Sequence, residues 1–155
     1  MIKQLSLLTA CCCLTLPGPR VRAASSATYG QQVVAAVLMG EAWSEGEKAM
    51  MAVAEVIRLR ADRADTSPLA VVLQPRQFTC LNRTTPRDLI RRFHRHPDFQ
   101  AALKIARRMY NEPESLPGYA VGATHFERLG TWAYWTRGHR PVATVGQLAF
   151  YRLPG

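Results

Sequence analysis

Cysteine is scarce where it would count. The chain has four, and Cys11, Cys12 and Cys13 fall together in one apolar N-terminal run, so Cys80 stands alone in the remainder. A single thiol cannot close an internal disulfide, so the fold must rest on its apolar core. Acids are also few: 11 Asp and Glu stand against 20 Lys and Arg, for a net charge of +9. Histidine forms no ligand set. His94 and His96 are flanked by Arg92 and Arg95, which repel a cation, while His125 and His139 are isolated and no Cys pair supports them. A metal site is therefore not expected. The chain also lacks a Gly-rich phosphate loop and a Ser in a nucleophile elbow, and no organic cofactor is expected. A lone Cys80 reads as an inert thiol, though His125 leaves a nucleophilic role open at this stage.

What is present suits one domain. The 155 residues are 48% hydrophobic, enough for a real core. Residues 1–23 read as a secretory signal peptide: Lys3 supplies the positive start, residues 5–16 are apolar or small, and Val21-Arg22-Ala23 offers a cleavage point. The apolar run is too short for a permanent bilayer anchor. The same leader also contains Leu8-Thr9-Ala10-Cys11, a small-residue-then-Cys pattern that would lipidate Cys11 instead. Either way the sequence predicts export of a domain spanning residues 24–155, expected to be a monomer. A basic exported domain can meet nucleic acid, anionic lipid or an anionic wall polymer. Arg91, Arg92, Arg95, Lys104, Arg107 and Arg108 form the basic surface, without the interleaved aromatics that stacking on bases requires, so no nucleic acid partner is expected.

Periodicity predicts a first helix over residues 28–39, with Val33, Val34, Val37 and Leu38 at helical spacing and Gly40 to end it. Ser44 with Glu47 reads as a capping box opening a second helix, whose core stripe is Met50, Val53, Ala54 and Ile57. Ser67-Pro68 and Thr85-Pro86 each place Pro at a first helical position, and Pro97 precedes another helix, bearing Phe99, Leu103, Ala106 and Tyr110 on one face. Beyond Pro117 the chain turns to short β-branched and aromatic segments punctuated by Gly. Residues 142–145 and 148–151 read as strands joined by a Gly-Gln turn. The fold class is α+β: one mostly helical domain closed by a small C-terminal β-sheet.

Glu41 is the acid that stands out. No Lys or Arg lies between Arg22 and Lys48, so it has no cation close in sequence. Beside Met39 and Trp43 it reads as a carboxyl group that desolvation would hold in its acid form, as a general acid needs. A helix-flanking role is the plain alternative. Glu45, four residues on, could line the same cleft, whereas Glu47 reads as structural. Glu55, Asp62, Asp65, Asp88, Asp98, Glu112 and Glu114 read as solvated or capping residues, and Glu127 lies in a strand-like run with His125 and Phe126. A single-acid chemistry fits better than a matched carboxylate pair.

Several segments, in order, resemble the cell wall hydrolase domain of the SleB type, known from spore cortex-lytic enzymes. They are Gly40-Glu41-Ala42-Trp43-Ser44-Glu45; Met51-Ala52-Val53-Ala54-Glu55-Val56-Ile57 followed by Arg60; Gln74-Pro75-Arg76-Gln77-Phe78-Thr79-Cys80; Gly122-Ala123-Thr124-His125; Trp135-Thr136-Arg137-Gly138; and Gly146 with Phe150-Tyr151-Arg152. The resemblance covers residues 30–152 and implies a lysozyme-like fold that cleaves peptidoglycan glycan strands. It implies Glu41 as the catalytic acid and base, and lytic transglycosylation or muramidase-type hydrolysis as the reaction. Glu45, Gln77, Phe78, His125, Trp135, Arg137 and Tyr151 are the candidate substrate-binding residues. The chain departs from the family pattern at Leu59, at Leu81-Asn82 and at Leu148, where Asn, Trp and His are usual. The alternative is a non-catalytic peptidoglycan-binding or inhibitor-like module on the same scaffold; a basic nucleic-acid binder is a third reading.

Overall fold

Seven consecutive residues, Val33, Val34, Ala35, Ala36, Val37, Leu38 and Met39, are all buried. A helix apolar on every side can only lie inside its domain, and this one, α1 (Tyr29–Ala42), is the axis around which the others pack. The computed structural model describes residues 26–131 and 133–153, so the signal-peptide expectation and Cys11 lie outside the described residues. Around α1 stand α2 (Glu47–Arg63), α3 (Pro68–Leu73), α4 (Pro86–Phe93) and α5 (Phe99–Asn111). No described helix is long and apolar enough to cross a membrane.

Starts and stops follow local chemistry, with two corrections. Thr28 and Gln31 form the capping box of α1, each side chain meeting the other's backbone N–H. Ser67 and Thr85 cap α3 and α4 ahead of Pro68 and Pro86, as expected. The capping box expected at Ser44 and Glu47 is not formed. Residues Trp43–Glu45 make a 3₁₀ turn, Ser44 donates to the Glu45 carboxylate, and α2 starts from Gly46, whose φ of +86° suits glycine. Nor does Gly40 end α1, which continues through Glu41 to Ala42.

The C-terminal part forms an antiparallel sheet of β1 (His125–Arg128), β2 (Ala143–Val145) and β3 (Leu148–Tyr151) in the order β1-β3-β2. The predicted hairpin is present, with Gly146 and Gln147 at its turn, and β1 adds the third strand. In register, Phe126 opposes Phe150 and His125 opposes Tyr151. Because side chains alternate, the two pairs lie on opposite faces. Phe126 and Phe150 pack inward, with Phe126 meeting Phe78, while His125 and Tyr151 share the other face. The result is the expected α+β domain, mostly helical with a small C-terminal sheet.

Candidate active site

Glu41 occupies the last turn of α1, and the helix reaches it because residue 40 has no side chain. A Cβ at Gly40 would lie 2.6 Å from Cys80 Cβ and 3.0 Å from its Sγ. That close approach carries residues 79–80 onto the acid. The Cys80 backbone N–H donates to Glu41 Oε1 at 2.9 Å, and the Thr79 hydroxyl lies 3.0 Å from Oε1 and 3.2 Å from Oε2. To the expectation of an acid beside apolar neighbours with no cation close in sequence, the structure adds these donors. Glu41 is half-buried and makes no ion pair among the described residues, but two neutral donors hold it. Trp43 is engaged with Asp98 and His96: its indole N–H donates to Asp98 Oδ2 at 2.8 Å, and its ring meets His96 edge-on at 4.7 Å.

The Cys80 side chain lies in the same close contact. Burial, and then the negative charge of Glu41 beside it, push the thiol far above its ordinary value. A thiol kept protonated is unreactive.

Phe78 is extended, with φ −130° and ψ 125°, so its neighbours project to the side opposite its own. Phe78 is 1% exposed, packed beneath the Arg60 guanidinium at 5.9 Å and beside Phe126. It is therefore core, and the expectation that it contacts substrate is corrected: a side chain so covered offers no surface. Gln77 and Thr79 are the exposed pair. Thr79 holds Glu41, and the Gln77 amide oxygen accepts from Arg60 Nη2. Two residues of extended chain, about 7 Å, thus join the acid to an arginine.

Beyond Arg60 lies the outer face of the sheet. Trp135 stands 5.3 Å from the His125 ring and meets Tyr151 edge-on at 5.5 Å, so His125, Trp135 and Tyr151 form one half-buried aromatic group. Burial, and then the Arg60 charge, lower the His125 pKa, favouring a neutral imidazole, and its Nδ1 is 3.0 Å from Thr124 Oγ1. Arg137 is exposed on the turn after Trp135 and has no described contact with this group.

Glu45 is placed differently from the expectation of a cleft wall. Its carboxylate accepts the Gln147 N–H at 2.8 Å and lies 3.5 Å from Arg128 Nη2, with the side chain 10% exposed. It ties the α1–α2 corner to the β2–β3 turn. Glu55, read from sequence as solvated, is structural as well, and its two oxygens take the N–H groups of Gly118, Tyr119 and Ala120 at 2.6–3.0 Å. The sequence alone gave no site role to Thr79 or Arg60. The signal available was a polar-apolar-polar triplet, Gln77-Phe78-Thr79, within a motif already singled out.

Of the departures from the family pattern, Leu148 is 4% exposed on the same inward face as Phe150, so that change falls in the core. Leu59 and Leu81 are half-buried and line two separate cavities.

No curated protein and no solved structure matches the chain. A family model described as cell wall hydrolase matches residues 44–151, beginning just C-terminal to Glu41 and taking in Arg60, the 77–80 segment, the sheet and Trp135. That match covers well over half of the chain, which therefore belongs to the cell wall hydrolase family.

Proposed function

We propose that this protein is an exported peptidoglycan-cleaving enzyme in which Glu41 alone serves as acid and base, most simply as a lytic transglycosylase of the SleB type. The observation that carries the reading is the surroundings of Glu41, held by a hydroxyl and a backbone N–H, together with the engagement of its neighbour Glu45 elsewhere. Glu45, the nearest acid in sequence, is occupied by Gln147 and Arg128. Ordinary glycoside hydrolysis places two carboxyl groups across the bond, whereas intramolecular transfer needs one.

In this scheme the Cys80 N–H holds Oε1 as an acceptor, so the transferable proton sits on Oε2. Glu41 gives it to the glycosidic oxygen as the bond from that oxygen to the anomeric carbon breaks. The 6-hydroxyl of the same sugar then bonds to the anomeric carbon and returns its proton to Glu41. Thr79 suits both halves of the cycle, because a hydroxyl donates to a carboxylate and accepts from a carboxylic acid. Gln77, Trp135 and Tyr151 offer amide and aromatic surfaces for sugars, and the basic faces of α4 and α5 suit an anionic wall polymer.

Purified murein sacculi provide the test. Wild-type protein is expected to release muropeptides ending in a 1,6-anhydro sugar, lighter by one water than the reducing-end product, and Glu41→Gln to release none. Equal release by Glu41→Gln rejects the catalytic assignment. Reducing ends in place of anhydro ends would assign hydrolysis with water as acceptor. Sedimentation with sacculi without release would support the binding-module alternative.

A further inference from the structure

One described cavity brings two arginines together. It has a volume of about 200 Å³ and is bounded by Arg60, Arg63, Gln74, Thr124 and His125, with Val71 as an apolar wall. No Asp or Glu lines it. Neither guanidinium forms an ion pair among the described residues: half-buried Arg60 meets the neutral Gln77 amide and the Phe78 ring outside the cavity, and Arg63 is exposed. The Thr124 hydroxyl is engaged by the His125 ring and the Leu153 N–H. The cavity beside Glu55 contrasts with this: there Arg58 pairs with Asp62, and Glu55 is satisfied by backbone N–H groups.

Half-burying a guanidinium without a counter-charge is unfavourable, and desolvation lowers the Arg60 pKa as that cost predicts. An anion in the cavity would relieve it. Several waters' worth of space, at roughly 30 Å³ each, admits a carboxylate and the carbon that bears it. Arginine's planar donor fork matches a carboxylate.

We propose that Arg60 and Arg63 form a subsite for a carboxylate carried by the glycan strand: one of the stem peptide's on peptide-bearing muramic acid, or the lactyl carboxylate that is set free where the peptide has been removed. The sugar chain then runs past Gln77 and Thr79 toward Glu41. The inference rests on the peptidoglycan reading and adds a specificity determinant to it: the enzyme selects strands with free carboxylates over strands whose carboxylates are masked.

The test uses three substrates: native sacculi, strands stripped of peptides by an amidase, and sacculi whose carboxylates have been chemically amidated. For wild type, amidation is expected to raise KM about tenfold, the scale of a charge-assisted hydrogen bond. Arg63→Gln should raise KM on native sacculi by a similar factor and erase the difference between native and amidated substrate. Lys48→Gln, which removes an exposed charge away from the cavity and from α4 and α5, controls for net charge. The amidase frees the lactyl carboxylate as it removes the peptide, so stripped strands that keep the advantage over amidated material show that the subsite also accepts the lactyl group; if they lose it, only the stem-peptide carboxylate fits. The subsite is overturned if wild type treats native and amidated sacculi alike, or if Arg63→Gln and Lys48→Gln behave the same. Sedimentation of Glu41→Gln protein with native and amidated sacculi reads the same preference without turnover. A failure of catalysis is thereby distinguished from a failure of the subsite.

Discussion

At the scale of single residues, the candidate site depends on a glycine and two neutral donors. Gly40 lets the Cys80 segment lie against α1, and that contact brings the Thr79 hydroxyl and the Cys80 N–H to Glu41. Because the Cys80 donor is backbone, side-chain substitution cannot remove it, but Thr79 can be tested. Thr79→Ala is expected to lower kcat about tenfold with KM little changed, the loss of one hydrogen bond to an ionisable group. Thr79→Ser should restore most of the rate, since it keeps the hydroxyl. Unchanged kcat in Thr79→Ala would remove Thr79 from the positioning of the acid.

At the scale of elements, the helical part and the sheet are held together by buried rings and by one carboxylate. Phe78 and Phe126 meet across the junction, and Glu45 takes the Gln147 N–H at the β2–β3 turn. Gly146 accommodates this, since a Cβ there would lie 2.6 Å from Glu45 Oε2. Glu45→Ala leaves that N–H without its acceptor and is expected to cost about 1–3 kcal/mol, read as a lowered midpoint in urea unfolding. Hydrogen exchange should quicken first at Gln147. A variant as stable as wild type would show the tie to be dispensable. The capping chemistry of α3 and α4 was legible because Ser67-Pro68 and Thr85-Pro86 act through neighbours in sequence. The Ser44 capping box failed because Glu45 and its long-range bond to the turn fix that corner first.

At the scale of the whole molecule, the response to acid follows from a few groups. His125 has a depressed pKa from burial and from Arg60, so its contribution to stability is complete above about 6.5 and is lost as pH falls through its lowered value. Thermal unfolding is expected to hold steady above that pH and to shift to lower temperature below it. His125→Gln should flatten the upper part of that decline, and identical pH profiles would exclude His125 as its source. The sequence alone determined the helical core, since the run from Val33 to Met39 has no polar face and must be buried. It determined the capped starts of α3 and α4 and the Gly-Gln hairpin, since those rest on neighbouring residues. It singled out Glu41 by the lack of a cation nearby in the chain. Only the tertiary structure decided what stands against Glu41, which side of the 77–79 segment is open, and that Phe78 and Leu148 belong to the core. It alone placed Arg60 and Arg63 around one cavity with His125, and gave Glu45 and Glu55 to backbone N–H groups far along the chain. Local chemistry reads out locally, whereas a donor 39 residues from its acceptor meets it only through packing.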